Sequence, residues 1–246
     1  MAGPRVDAPG RLIVALDVPS VAEARDIVSE LEGVVSFYKV GLHIQWDDSF
    51  KPFVLDLLNA GKEVFIDYKY ADIGATMQGG VAGVARTGAT FLTIQGSGET
   101  TEAAMAAALA GRGDSARPKL LLVTVLTSVD DADVAALGRH STVEELAVER
   151  AQMAARAGFD GAITSGHEAA AIRAVVPPDF LIVTPGVRPA AAAIDDQKRI
   201  VTPAAAIKAG ADYLVVGRPI IGQDDRRAAA EAIIAEMQPA FDARSS

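Results

Sequence analysis

The segment VFIDYKYADIG, residues 64–74, concentrates the side chains best able to do chemistry: Asp67, Lys69 and Asp72. In an extended strand, residues two apart share a face and stand roughly 6–7 Å apart, so Asp67 and Lys69 project together while Val64 and Ile66 point the other way. A carboxylate and an ammonium buried side by side cost desolvation energy unless each is further paired. Lys39, one apolar run earlier, can neighbour Asp67, and an alternating Lys39–Asp67–Lys69–Asp72 chain would satisfy every member. Two plainer readings stand beside this one. Asp67 and Lys69 can form a structural ion pair, and Asp72 can cap a helix that begins there.

A second cluster is cationic. TPGVRP carries Arg188, and VGRPI carries Gly217 and Arg218. Glycine lets backbone approach an anion, and each guanidinium can donate a bidentate pair to it. Gln197, in the polar stretch DDQKR, either folds over the same anion or is a solvated loop residue. The alternative for the two arginines is a surface position beside ordinary turns. The formal charge of the chain is −9, which argues against nucleic acid or an anionic membrane as partner. An anionic substrate would therefore need a local positive cluster of this kind.

The elements that must position these groups are short apolar runs alternating with longer amphipathic ones. Strands are expected over 12–16, 35–40, 63–67, 90–94, 120–125, 161–164, 181–184 and 213–216. The intervening Ala-rich segments have apolar residues three and four apart, as in 21–31 and 143–157. Gly61, Gly88, Gly158 and Gly210 fit helix stops. Eight βα units in unbroken alternation imply a parallel sheet. A length of 246 residues favours closure into one (β/α)8 TIM barrel, of class α/β, over an open doubly wound sheet. One catalytic domain is expected over residues 11–240, with a flexible tail before it and a short tail, 241–246, after it. Aromatics make up only 5% of the chain, so the core is expected to be built from Ala, Val, Leu and Ile.

In such a barrel the working residues lie at the C-terminal strand ends. Those ends would carry Asp17, Lys39, Asp67 with Lys69, Gln95, Thr127 with Ser128, Ser165 with His167, Arg188, and Gly217 with Arg218. The loops after strands seven and eight are where barrels often hold phosphate. The absence of cysteine removes disulfides, thiolate nucleophiles and thiolate metal sites. Residues 1–10 show no apolar core of a secretory signal, and no apolar stretch approaches 18 residues, so a cytoplasmic location is expected. His43, His140 and His167 lack metal-ligand spacing. Trp46 reads as a rim residue, and Met77, Met105 and Met153 as helix packing.

At DYKYADI the sequence resembles the orotidine 5′-monophosphate decarboxylase family, whose signature is D-x-K-x-x-D-I near the end of the third strand. The likeness runs over essentially the whole chain. VALDVPS matches the first strand, with Asp17 at a nucleotide-contacting aspartate, and YKVG the second, with Lys39 in the charged network. VTVLTS matches the fifth strand, with Thr127 at the pyrimidine and Ser128 beside it. VTPGVRP, DDQKRIVTPAAA and DYLVVGRPI match the phosphate end, with Arg188, Gln197, Gly217 and Arg218.

The resemblance implies decarboxylation of orotidine 5′-monophosphate to uridine 5′-monophosphate, the last step of de novo pyrimidine nucleotide synthesis. It implies no metal and no cofactor, Lys69 as proton donor to a C6 carbanion, and Asp67 close to the departing carboxylate. It also implies a homodimer, in which Asp72, Ile73 and Thr76 reach into the neighbouring subunit's site. The chain departs from many bacterial members at Ala71, Gly74, Ala75 and Gln95. The rival within the superfamily is a metal-assisted sugar-phosphate decarboxylase or aldolase, which shares D-x-K-x-x-D but carries an acid near the end of strand two, where this chain has Lys39. A non-enzymatic barrel that retains a phosphate site is the second rival.

Overall fold

Eight apolar runs form strands β1 (Leu12–Ala15), β2 (Phe37–Gly41), β3 (Glu63–Tyr70), β4 (Phe91–Gln95), β5 (Lys119–Val123), β6 (Gly161–Ile163), β7 (Leu181–Thr184) and β8 (Tyr213–Val216). In the computed structural model, which describes residues 7–96, 100–189 and 201–244, these strands close in sequence order into one parallel barrel. β1 seals it, pairing with β2 through Ile13↔Phe37 and with β8 through Leu12↔Leu214. The expected (β/α)8 architecture is therefore the observed one.

The helices are α1 (Val21–Glu30), α2 (Phe50–Asn59), α3 (Gly74–Ala85), α4 (Glu102–Arg112) and α5 (Asp131–Ala136). They continue with α6 (Val143–Ala157), α7 (Ala169–Arg173), α8 (Pro203–Lys208), α9 (Arg218–Ile221) and α10 (Arg226–Arg244). Local chemistry sets their ends. Thr142 and Glu145 form a reciprocal capping box at the start of α6, and Gly158 closes that helix in the left-handed region at φ 90°, where a Cβ would be strained. The other expected stops, Gly61, Gly88 and Gly210, also have positive φ. Two short helices were not anticipated: α5, with its own Asp130–Asp133 capping box, and α9, which opens directly after Gly217. A 3₁₀ turn over Ala8–Arg11 precedes β1 and buries Ala8, whose N–H donates to the Gln238 side chain at 3.0 Å.

Strand alternation divides the core into two layers. Val64 and Ile66 face outward against the helices, whereas Ile13, Ala15, Phe37, Phe65, Phe91, Leu121, Val183 and Val215 face each other inside the barrel. The outer layer is largely aliphatic, as the composition suggests, but the inner layer departs from that expectation. Phe91 packs at a tilt against Phe37 at 5.1 Å and meets Tyr213 edge-on at 5.2 Å, with Phe65 at 5.8 Å. Four aromatics, Phe37, Phe65, Phe91 and Tyr213, gather in this inner layer near the strands' N-terminal ends. That plug closes one end of the barrel and leaves room at the other.

Phe91→Ala is expected to destabilise the fold by about 3–5 kcal/mol, because the rings around the void are held by the barrel and cannot collapse into it. Urea unfolding followed by circular dichroism measures this, and a loss below 1.5 kcal/mol would show that the plug repacks.

Candidate active site

Above the aromatic plug, the same alternation turns polar side chains inward. Lys39 follows Phe37 by two residues on β2, and Asp67 follows Phe65 by two on β3. Asp17 follows Ala15 by two, just beyond β1. Lys39 is 8% exposed, and its Nζ lies 2.9 Å from Asp17 Oδ1 and 3.2 Å from Asp67 Oδ2. Lys69 Nζ lies 2.9 Å from Asp67 Oδ1. Four charges thus alternate as Asp17–Lys39–Asp67–Lys69.

This differs from the expected chain at one end. Asp72 does not join it within this chain: the side chain is exposed and accepts the Ile73 N–H at 2.7 Å. Nor does it cap α3, where Ile73 holds the cap position and no side chain accepts there. Asp17 supplies the second carboxylate instead. His43, read as a bland loop residue, comes within 3.8 Å of that same carboxylate with its side chain 59% exposed.

Asp67 and Lys69 do meet, but not by simple alternation. The β3–β4 register runs Phe65↔Phe91, Ile66↔Leu92 and then Tyr70↔Ile94, so Asp67, Tyr68 and Lys69 stand opposite Thr93 alone. Lys69 takes up the excess at φ 49° and is the only non-glycine among the described residues with positive φ. Two participants escaped the sequence reading. Thr93 is fully buried and donates to Asp67 Oδ1 at 2.9 Å; the signal for it was a hydroxyl at an inward position of β4. Gly41 pairs with Asp67 in register, and a Cβ there would stand 2.9 Å from the Asp67 carbonyl oxygen. A side chain at this point would push the carboxylate's own backbone away.

Burial opposes both central charges, and pairing overcomes it. Burial works against the Lys39 ammonium, but Asp67 and Asp17 raise its pKa above the ordinary lysine value. Burial would likewise push the Asp67 carboxyl up. Lys39, then Lys69, with hydrogen bonds from Lys69 and Thr93, hold it below the usual carboxylate range. Folding lowers this pKa, so Asp67 contributes stability above its unfolded value of about 3.9, and that contribution is lost as the pH falls through the lower folded value.

These charges form one wall of a cavity of about 230 Å³. Thr127, Arg188, Gly217 and Arg218 line it from other sides, with Val123, Val125, Ile163 and Val215 among its apolar surfaces. Arg188 is itself 8% exposed, so the surface alternative does not hold for it. Ser128 is exposed and is not part of the lining, and Ile73 and Thr76 lie exposed beside Asp72 at the start of α3. Gln197 falls outside the described residues. Among those residues no three His, Asp or Glu side chains gather closely enough to hold a metal ion, and no helix is long and apolar enough to cross a membrane.

A closed eight-stranded barrel with paired charges and arginines around one cavity defines a single-domain (β/α)8-barrel enzyme. Residues 10–233 match the model of the orotidine 5′-phosphate decarboxylase / HUMPS family. A relative from Afipia carboxidovorans named orotidine 5′-phosphate decarboxylase is 49% identical over 92% of this chain and 94% of its own length. One of the same name from Rhodopseudomonas palustris is 50% identical over 94% and 95%. The crystal structure of orotidine 5′-phosphate decarboxylase from Lactobacillus acidophilus is 33% identical, covers 93% of this chain and 99% of its own, and superposes with a TM-score of 0.80. The chain belongs to the orotidine 5′-phosphate decarboxylase / HUMPS family.

In a carbon-detected NMR titration, the Asp67 carboxyl is expected to titrate below about 3.9. It should move upward in Lys39→Met, which deletes the strongest opposing charge. An unmoved value would mean that Lys39 does not set it.

Proposed function

We propose that this protein is a carboxy-lyase that converts orotidine 5′-monophosphate to uridine 5′-monophosphate and carbon dioxide, without metal or cofactor and with Lys69 as proton donor. The observation that carries this reading is the Asp17–Lys39–Asp67–Lys69 chain sharing one cavity with Arg188 and Arg218. The names of the curated relatives support the substrate.

In the proposed reaction, the bond from C6 to the carboxylate breaks heterolytically. Carbon dioxide departs, and the electron pair stays on C6. The Lys69 ammonium stabilises that pair and then transfers a proton to it, leaving a neutral amine that solvent reprotonates. A fixed cation aimed at developing negative charge pays no reorganisation cost at the moment of reaction. Asp67 stands next to the leaving carboxylate, and two unit charges 4 Å apart at an effective dielectric of 20 repel by about 4 kcal/mol. This repulsion lessens as carbon dioxide forms. The same Asp67 keeps Lys69 oriented, so its electrostatic cost to the substrate comes with a benefit to the proton donor.

Arg188 and Arg218, with Gly217 opening α9, would take the phosphate, whose binding energy is then available to hold the reacting ring. Gln197 is assigned to the same anion. Thr127 lines the cavity and is assigned to the pyrimidine with Ser128, and Asp17, which also lines it, to a contact with the nucleotide. Asp72, Ile73 and Thr76 are assigned to the site of a second copy, as the family resemblance implies. Their exposure at the start of α3 is consistent with a homodimer. The metal-assisted alternative is disfavoured because the Lys39 ammonium already lies between Asp17 and Asp67. A divalent cation would meet like charge at that place.

Protein dialysed against a chelator is expected to bleach the ultraviolet band of orotidine 5′-monophosphate. Activity that returns only with added magnesium would overturn the metal-free reading and favour the sugar-phosphate one. Lys69→Ala should lower kcat at least about 10,000-fold while still binding uridine 5′-monophosphate, and a substantial residual rate would exclude Lys69 as the donor. Arg218→Ala should instead raise KM about 10- to 100-fold, the loss of charge-assisted hydrogen bonds to the phosphate.

A further inference from the structure

We propose that Thr93 is a positioning residue for the proton donor, its hydroxyl fixing both the backbone and the ammonium of Lys69. The inference rests on the assignment of Lys69 as that donor.

The β3–β4 bulge creates a specific difficulty. With Asp67, Tyr68 and Lys69 facing one residue of β4, the Lys69 N–H has no ladder carbonyl opposite it. Buried backbone donors are almost always paired, and the partner here is a side chain: Lys69 N–H donates to Thr93 Oγ1 at 2.9 Å. Thr93 then donates its own proton to Asp67 Oδ1 at 2.9 Å. Lys69 Nζ donates to that same oxygen at 2.9 Å. These three hydrogen bonds, with the lysine's own side chain, close a ring in which the two ends of one lysine are tied to a single hydroxyl–carboxylate pair.

Three features make this more than incidental packing. Lys69 sits at φ 49°, a region that a non-glycine residue occupies only when its surroundings hold it there. Thr93 is 0% exposed and is locked through register Thr93↔Leu121 with β5, so its hydroxyl is a fixed point. The hydroxyl is used once as acceptor and once as donor, which no apolar side chain of the same shape can imitate. The Lys69 side chain, by contrast, is 32% exposed and has a flexible four-carbon stem. Without the ring, its ammonium would spread over rotamers that do not face C6. A displacement of about 1 Å at a reacting group can cost on the order of 100-fold in rate.

The experiment compares Thr93→Val, which removes donor and acceptor at similar volume, with Thr93→Ser, which keeps both. Lys69→Ala runs in parallel, and kcat is referred to sites titrated with uridine 5′-monophosphate. We expect kcat to fall about 10- to 100-fold in Thr93→Val, with KM changed less than threefold and most of the loss recovered in Thr93→Ser. A Thr93→Val kcat per titrated site within twofold of the parent overturns the inference, as does an equal loss in Thr93→Ser. A role in folding alone would lower the melting temperature and the number of titratable sites but not kcat per site, and that result also overturns it. Should Thr93→Val not fold, Thr93→Ala carries the same expectation.

If Lys69→Ala keeps its rate, it is the donor assignment that has failed. A crystal structure of Thr93→Val then decides the positioning separately. Lys69 should leave the left-handed region, with its ammonium more than about 4 Å from Asp67; unchanged geometry overturns the inference.

Discussion

A buried ammonium has to be compensated, and much at this barrel mouth follows from how Lys39 is compensated. Removing an ion from water costs several kcal/mol even after the protein relaxes, and Lys39 is almost wholly enclosed. Two carboxylates answer it, Asp17 and Asp67. With both in place the trio carries a surplus negative charge, and Lys69 restores neutrality through Asp67. The quartet therefore sums to zero, and among the described lining residues Arg188 and Arg218 add two guanidinium groups. A chain with a formal charge of −9 thus presents a locally cationic cavity, the condition for drawing in an anionic ligand against its overall field.

The barrel makes that arrangement possible by separating two tasks along each strand. Near the N-terminal ends, inward positions hold Phe37, Phe91 and Tyr213, which fill the interior with large rings. Toward the C-terminal ends, the next inward positions hold Lys39, Asp67 and Thr93. Because the period of two carries both sets, the plug that stabilises the barrel also fixes which way the charges point. Gly41 shows how tight the fit is, since one additional carbon beside Asp67 would collide with backbone.

How much of this could be read from the sequence follows the same division. The eight strands were legible because apolar runs and amphipathic segments alternate without a break, and Lys39 and Asp67 were legible because a period of two assigns their face. The pairing of Asp67 with Lys69 was anticipated for a reason that turned out to be incomplete. It depends on a bulge and on a positive φ at a lysine, and neither leaves a mark in the residue types. Thr93 was hidden for the same cause, because a threonine in a strand is ordinary until the missing carbonyl opposite Lys69 gives its hydroxyl a task. The place of Asp72 could not be read within one chain, because spacing alone cannot tell whether the chain turns back toward the barrel axis. Here it turns outward, and Asp17, which the sequence offered as a strand-end acid and a nucleotide contact but not as a member of the charged chain, becomes the partner of Lys39.

The position of Asp67 gives the site its chemical character. One oxygen of this carboxylate meets Lys39, and the other meets both Lys69 and Thr93, so the group cannot turn to relieve a repulsion placed before it. A carboxylate free to rotate or to take up a proton would soften any conflict with an anionic substrate. Asp67 is denied both escapes, because three hydrogen-bond or ion-pair contacts fix its plane and its lowered pKa keeps it charged. In the proposed reaction, repulsion toward the substrate carboxylate would therefore persist until it departs, while the ammonium that Asp67 holds would stay oriented toward the negative charge that remains. The same contacts that make the buried charges tolerable to the fold also keep them from adapting to the substrate.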